Sequence, residues 1–252
     1  MPRASAEQSS DIEIREVTAI EEYNACVLLQ REVFGLPDLE ISPRRHLIVS
    51  HQAGGWTLGA FVEGKLVGFV HHLAAVSGDQ IFGYSHMMAV TTEFQNRGLG
   101  ARLKWAQRAR ALAEGRNFIK WTFEPTRARN AYFNLNRLGA ICRRYLPNLY
   151  GITTSPLHRG LATDRLVAEW YLDSPRVLAA LNGELAEPPC ASSIEIPSGL
   201  EDWKASDLPR VQSIQAAIRD QFSDGFAKGY ATVAVFRTSQ GSAYILAPWS
   251  EF

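Results

Sequence analysis

Apolar and polar positions change period several times along the chain, and each change predicts an element. Ile12 and Ile14, followed by Val17, alternate with charged residues and predict a half-buried first strand. Thr18 is expected to cap a helix over 19–34, with Glu21 completing a capping box. The inward face of that helix reads as Ile20, Tyr23, Val27, Leu28 and Phe34. Gly35, Pro37 and Ser42-Pro43 punctuate a loop that opens a short helix through Ser50. Apolar runs at 56–63 and 65–75 predict a hairpin across Glu63-Gly64-Lys65, and a turn at 77–80 leads into a third antiparallel strand at 81–90.

The stretch 84–115 organises the rest of the chain. Residues 84–90 are nearly uncharged, as in a strand buried on both faces. Gln95 to Ala101 then carries Gly98 and Gly100, and from Leu99 the small or apolar positions Leu103, Ala106, Ala109 and Ala113 fall on one helical face. Gly115 is a fitting stop. A strand at 118–123 ends in Glu124-Pro125, a helix covers 129–140, and strands at 141–150 and 164–172 flank the loop 151–163. Ser174-Pro175 opens a short helix ending at Asn182-Gly183, and Pro188-Pro189 with Ser192-Ser193 mark a connection. The tail reads as a strand at 194–196, a helix at 208–226 spaced by Val211, Ile214, Ile218 and Phe222, and a hairpin of 230–237 with 242–247. This β-α-β-β piece is small for independent stability and is expected to pack on the preceding domain.

Composition narrows the class. The 252 residues are 46% hydrophobic and 21% charged, ordinary for a globular chain with a real core. Lys plus Arg equals Asp plus Glu at 26 each, so the global charge favours neither nucleic acid nor membrane. Cys26, Cys142 and Cys190 are widely spaced, with no zinc pattern and no disulfide framework, which suits a reducing compartment. The polar start lacks an apolar signal core, so the expectation is a cytoplasmic protein with a flexible N-terminus over 1–10. His71 and His72 alternate faces along a strand and cannot easily ligate one metal, so no metal site is expected.

The glycine junction carries the chemistry. A helix leaves its first four N–H groups unpaired, and its dipole makes that end electropositive. With glycines admitting close approach, the amides of Arg97 to Ala101 can converge on a phosphate or pyrophosphate. The spacing is neither a Rossmann GxGxxG nor a Walker loop. Gln95-Asn96-Arg97-Gly98-Leu99-Gly100-Ala101 resembles the Gln/Arg-x-x-Gly-x-Gly/Ala signature of GNAT acetyltransferases. Arg129-Asn130-Ala131 through Leu138-Gly139-Ala140 resembles the GNAT helix after the fifth strand, with two departures. Ala140 stands where the family usually has phenylalanine, and Leu135 where many members carry the tyrosine that protonates the leaving thiolate. The likeness spans about 12–173, and the chain is similar to a bacterial group of predicted GNAT-superfamily proteins.

The resemblance implies a GNAT fold: an α+β, α/β/α-layered protein, its mixed, mostly antiparallel sheet carrying helices on both faces. It divides the chain into a flexible 1–10, an acyl-CoA-binding domain at 11–175 and a C-terminal α+β extension at 176–252. It also implies acetyl-CoA as donor, held by Gln95, Arg97, Gly98, Leu99, Gly100, Ala101, Arg102 and Asn130, with the backbone of Met88, Ala89 and Val90 along the pantetheine arm. Arg129 or Arg137 would face the nucleotide phosphate. Catalytic candidates are His86 as base, with a buried, hydrogen-bonded histidine as its plain alternative, and Glu124 as base against a cap or ion-pair role. Tyr132 is the candidate acid, one turn before Leu135, with Tyr145 and Tyr150 as substitutes. Between Arg97 and Arg144 twelve basic residues face only Glu114 and Glu124, a solvated basic face that partly serves an anionic coenzyme. The expected function is direct acetyl transfer to a small-molecule amine. A peptide or protein amine, or a non-catalytic acyl-CoA sensor, stands as the alternative. No nucleic-acid or membrane partner is expected, and a homodimer is left open.

Overall fold

The computed structural model describes residues 12–153 and 158–249. The flexible N-terminus expected at 1–10 lies outside the described residues. The alternating start forms β1 (Glu13–Glu16), which pairs antiparallel with β2 (Trp56–Val62). β2, β3 (Lys65–Ser77) and β4 (Gln80–Val90) follow as an antiparallel meander, turning on Glu63-Gly64 and Gly78 with positive φ. β5 (Phe118–Phe123) lies parallel to β4, β7 (Arg165–Tyr171) is antiparallel to β5, and β6 (Ile141–Leu146) follows β7 in the sheet. The C-terminal strands β8 (Ser192–Pro197), β9 (Tyr230–Thr238) and β10 (Gly241–Pro248) continue this sheet edge-on. Their link is Cys142 opposite Thr232, and the order is β1-β2-β3-β4-β5-β7-β6-β9-β10-β8.

Helices cover both faces, so the layered mixed sheet is as the sequence predicts. On one face α1 (Ile20–Phe34) and α2 (Arg44–Gln52) bury Tyr23, Cys26, Leu29 and Leu47 against Phe61, Phe69 and Ala89. On the other, α3 (Leu99–Ala113) sets Leu99, Leu103 and Ala111 into a core with Val70, Ile119 and Trp121. That core runs unbroken into the C-terminal segment, where α5 (Pro175–Asn182) adds Val177, α6 (Leu200–Ser206) adds Leu200 and α7 (Leu208–Ala227) adds Val211, Ile218 and Phe222.

The first helix corrects two expectations. Its start is held by Glu22, whose carboxylate accepts from the amides of Thr18 (3.0 Å) and Ala19 (3.2 Å), so the cap is Ala19 with Glu22 and not Thr18 with Glu21. Ile20 and Leu28 point outward, 48% and 60% exposed. Gln30 takes an inner position instead, because its amide donates to the Ser42 carbonyl and accepts from the Ser42 N–H, tying the loop before α2 to the helix. The helix predicted over 129–140 is shorter: α4 (Ala128–Tyr132) passes into a π-helical turn over Phe133–Arg137.

His71 and His72 point to opposite faces. His72 stacks on Trp56, ring centroids 4.1 Å apart, and receives the Gln107 side-chain amide at Nδ1. Its ring lies across Gly83: a Cβ there would collide with His72 Cε1 and come 2.9 Å from Ile119 Cγ1. The stacked ring has nowhere to retreat. Gly83→Ala should therefore destabilise by about 2–3 kcal/mol, within the range for core overpacking. Equilibrium denaturation checks this, and an unchanged midpoint would show that the sheet absorbs the methyl.

Candidate active site

The parallel pairing of β4 and β5 is brief. Gly83 opposes Ile119 and Tyr84 opposes Lys120, and among the described residues no further ladder pair joins the two strands. The wedge opens where β4 carries a bulge: His71 pairs with Met87 and His72 with Ser85, leaving His86 without a cross-strand partner. Beyond it, residues 86–90 of β4 run beside β5 without pairing to it, as an extended ligand chain would require.

Past Val90 the chain turns into α3. Asn96 (φ 63°) and Gly98 (φ 81°) both adopt left-handed backbone, and Gly98 caps the helix without a side-chain bond. The amides after it open α3 with no helical acceptor. The two glycines divide the work. A Cβ at Gly98 would meet nothing within 4 Å, so Gly98 is required by its φ. Gly100 has an ordinary helical backbone, and its Cβ would point at Met88 Cε, 3.4 Å away, with Phe133 Cζ at 4.0 Å. Gly100 keeps space clear.

That space is a cavity of about 1000 Å³ between the α3 start and α4. Met88, Val90, Gln95, Gly98, Gly100, Ala101, Asn130 and Tyr132 line it, so eight of the expected donor-site and catalytic residues meet there. Phe94, Thr126, Arg127, Arg129, Phe133, Arg137 and Glu201 join them. The remaining expected residues stand elsewhere. Ala89 and Leu99 are buried in the cores on opposite faces of the sheet. Arg97 is not among the lining residues, and Arg102 is turned away to donate to the Ile12 carbonyl at 2.8 Å. Gln95 lines the cavity while its amide donates to the Val90 carbonyl at 3.0 Å, fixing the end of β4. A smaller cavity of about 500 Å³ lies beyond Tyr132 and Arg137, which line both.

Of the catalytic candidates, Tyr132 is 47% exposed and faces the cavity, whereas Leu135 is fully buried. His86 lies on the α2 side of β4, exposed at its edge, with Nε2 3.0 Å from Ser42 Oγ and its ring 5.5 Å from that of His46. Surrounding protein and then His46 lower its pKa, so the ring is neutral near pH 7. Tyr84 shares a polar group with Thr122 and Tyr150, and burial raises its pKa. Tyr145 is spent on Asp164, to which its hydroxyl donates at 2.7 Å.

Glu124 takes the ion-pair role that stood as its alternative to acting as a base. Burial alone would raise its pKa, but Lys204 and then Arg127 outweigh that and hold it at about 2. Its Oε1 accepts from Lys204 Nζ at 2.9 Å and Thr126 Oγ1 at 2.7 Å, and Oε2 from Arg127 Nε at 2.9 Å. A carboxylate so engaged has little affinity for a proton. Lys104, read with the basic face, is instead inside the protein: it donates to Gln107 and Ser85 over the Trp121 ring, and burial drives its pKa well down. Among the described residues no group of three or more His, Cys, Asp or Glu is placed to hold a metal, and no helix is long and apolar enough to cross a membrane.

Lys204 and Glu201, like Phe94, Thr126 and Phe133, are residues the sequence did not single out. The first two lie in a short helix about eighty positions after Glu124, with no motif around them, and no local signal identifies them.

Residues 21–139 match the model of the acetyltransferase (GNAT) family. No curated protein matches the chain in sequence. Among solved structures, the ribosomal-protein-S18-alanine N-acetyltransferase of Escherichia coli is similar with a TM-score of 0.53 at 14% identity, covering 65% of this chain and 96% of that one. An N-acetyltransferase of Staphylococcus aureus Mu50 gives 0.53 at 12%, covering 65% and 100%. A GNAT-family acetyltransferase of Streptococcus pneumoniae gives 0.50 at 17%, covering 63% and 98%. At such identities the likeness speaks for the fold.

Proposed function

We propose that this chain, whose residues 21–139 match the acetyltransferase (GNAT) family model, is an acyltransferase that moves an acetyl group from acetyl-CoA directly to a primary amine of a small molecule. The observation that carries the donor assignment is the large cavity joining the α3 start to the unpaired end of β4. It offers unpaired amides for a pyrophosphate, a glycine-cleared floor at Gly100, and free strand backbone for the pantetheine amides. Arg129, Arg137 and Asn130 border the same cavity and supply cationic and amide groups to the rest of the coenzyme. Gln95 serves by holding Val90.

In the transfer, the amine nitrogen bonds the acetyl carbon as the carbon–sulfur bond breaks. One proton leaves the nitrogen and one is taken up by the departing thiolate. Tyr132, which lines the cavity, supplies the second. The first leaves to solvent, or by way of water to His86, whose neutral ring is exposed on the α2 side of β4. Amide dipoles and the β4 backbone hold the thioester, so that positioning carries much of the acceleration. The segmentation into an acyl-CoA-binding 11–175 and a C-terminal 176–252 is part of this proposal.

Calorimetric titration of acetyl-CoA into the full chain tests the donor, and thiol release against a panel of amines tests the acceptor. Absence of binding to the folded protein would remove the reading. Tyr132→Phe should lower kcat at least about tenfold, at the modest end for a general acid, with the acetyl-CoA KM within about twofold. An unchanged kcat would mean that solvent protonates the thiolate.

A further inference from the structure

The wall of the cavity opposite the α3 start is the connection from β5 to α4, and the C-terminal segment holds it. Lys204, with a side chain 1% exposed, projects from α6 and donates to Glu124 Oε1 and Glu201 Oε1, each at 2.9 Å. Glu124 in turn binds Thr126 and Arg127, and Arg127 caps α4. Tyr244, fully buried on β10, donates its hydroxyl to the Pro125 carbonyl at 2.7 Å. Further along, the Val235 amide donates to Asn136 Oδ1 at 2.9 Å, and Arg176 donates to the Leu135 carbonyl at 3.2 Å. Four contacts from residues beyond 175 thus grip 124–136, while Glu201 itself lines the cavity.

We propose that the C-terminal segment is a working part of the coenzyme site, with Lys204 a positioning residue that fixes the Glu124–Asn130 wall through Glu124. This rests on the acetyl-CoA reading of that cavity. The physical reason is the balance of buried charge. Glu124 has Arg127 as its other cation, and the Arg127 side chain is 37% exposed and therefore better screened. Removing Lys204 leaves an under-compensated carboxylate in the protein, which must turn toward water or take a proton. Either change releases Thr126 and Arg127, and with them the start of α4 and Asn130.

The test uses the full chain and two readouts. In Lys204→Met, amide hydrogen exchange over 124–137 should rise at least about tenfold while that of β2 and β3 stays unchanged, a local opening and not a global one. Acetyl-CoA binding, measured by titration, should weaken at least about tenfold. Lys204→Arg, which keeps the charge, should restore both to within about threefold. Tyr244→Phe, which removes one oxygen, should raise exchange at 124–127 in a protein that still folds. The proposal is overturned if exchange rises equally across the sheet, if it stays unchanged at 124–137, or if it rises there with affinity unaltered. Wild type that binds no acetyl-CoA defeats the donor assignment and this inference together. Wild type that binds, with Lys204→Met binding equally, defeats this inference alone.

Discussion

In Gly100→Trp, acetyl-CoA binding falls by at least about a hundredfold while the protein stays folded, because the substitution acts on space and leaves the fold intact. Gly100 sits in the first turn of α3 with ordinary helical backbone, so a side chain there relieves the entropic penalty of a helical glycine, about 0.5–1 kcal/mol. The new Cβ would contact only the flexible end of Met88 at 3.4 Å, and the indole beyond it must enter the cavity that the coenzyme would occupy. Gly100→Ala is the control. It carries the same Cβ and the same helix gain but little bulk, and should bind within about tenfold of wild type with a melting temperature equal or higher. Gly98 cannot serve in its place: at φ 81° any side chain strains the backbone, so loss of binding there would mix geometry with occlusion. Titration of the two Gly100 variants decides the matter. Equal binding by Gly100→Trp would place the coenzyme elsewhere.

The local punctuation of this fold is legible because it is chemical. Glu63-Gly64, Gly78, Gly98 and Gly183 sit where the backbone takes positive φ, and strand and helix ends track them closely. Patterning does less well where a polar group is buried for a partner. Gln30 holds both backbone groups of Ser42 and so occupies the inner stripe of α1, while Ile20 and Leu28 lie outward against their hydrophobicity. Lys104 likewise reads as a surface charge on α3 but lies between Ser85, Gln107 and Trp121. A period of two assigns His86 to one face of an even strand, and the bulge that gives it its own position has no composition signal. Glu124 is legible at the end of β5, but its chemistry is decided by Lys204, which sequence distance conceals. The cradle is legible because its parts are contiguous. The catalytic groups are not, because what fixes their protonation arrives from other elements.

Stability should fall by about 3 kcal/mol between pH 7.5 and 5.5, and the cause is the adjacent pair His71 and His72. Both are fully buried. As a neutral ring His71 has both nitrogens satisfied. Ser50 Oγ donates to the Leu47 carbonyl and so accepts from His71 Nε2 at 2.9 Å, which leaves Nδ1 to accept from Thr57 Oγ1 at 2.8 Å. Burial, then His86 and His46, lower its pKa to about 3. Burial, then Arg116, Lys104, His71 and Arg110, lower that of His72 to about 3. An imidazole in the unfolded chain titrates near 6.5. Between pH 6.5 and 3 the unfolded state therefore binds more protons, so stability rises with pH across that window and is lost as the medium is acidified. Each ring contributes about 1.4 kcal/mol per pH unit inside the window, and the two share the effect because their pKa values are alike. Glu124 adds to the same trend lower down: its pKa of about 2 keeps a stabilising charge that is lost as pH falls from its ordinary value of 4.5 toward 2. Denaturant unfolding at the two pH values measures the difference directly, and His72→Gln, which retains an amide beside Gln107, should halve it. A flat profile in wild type would mean that water reaches both rings, and the neutral, fully enclosed pair would have to be abandoned.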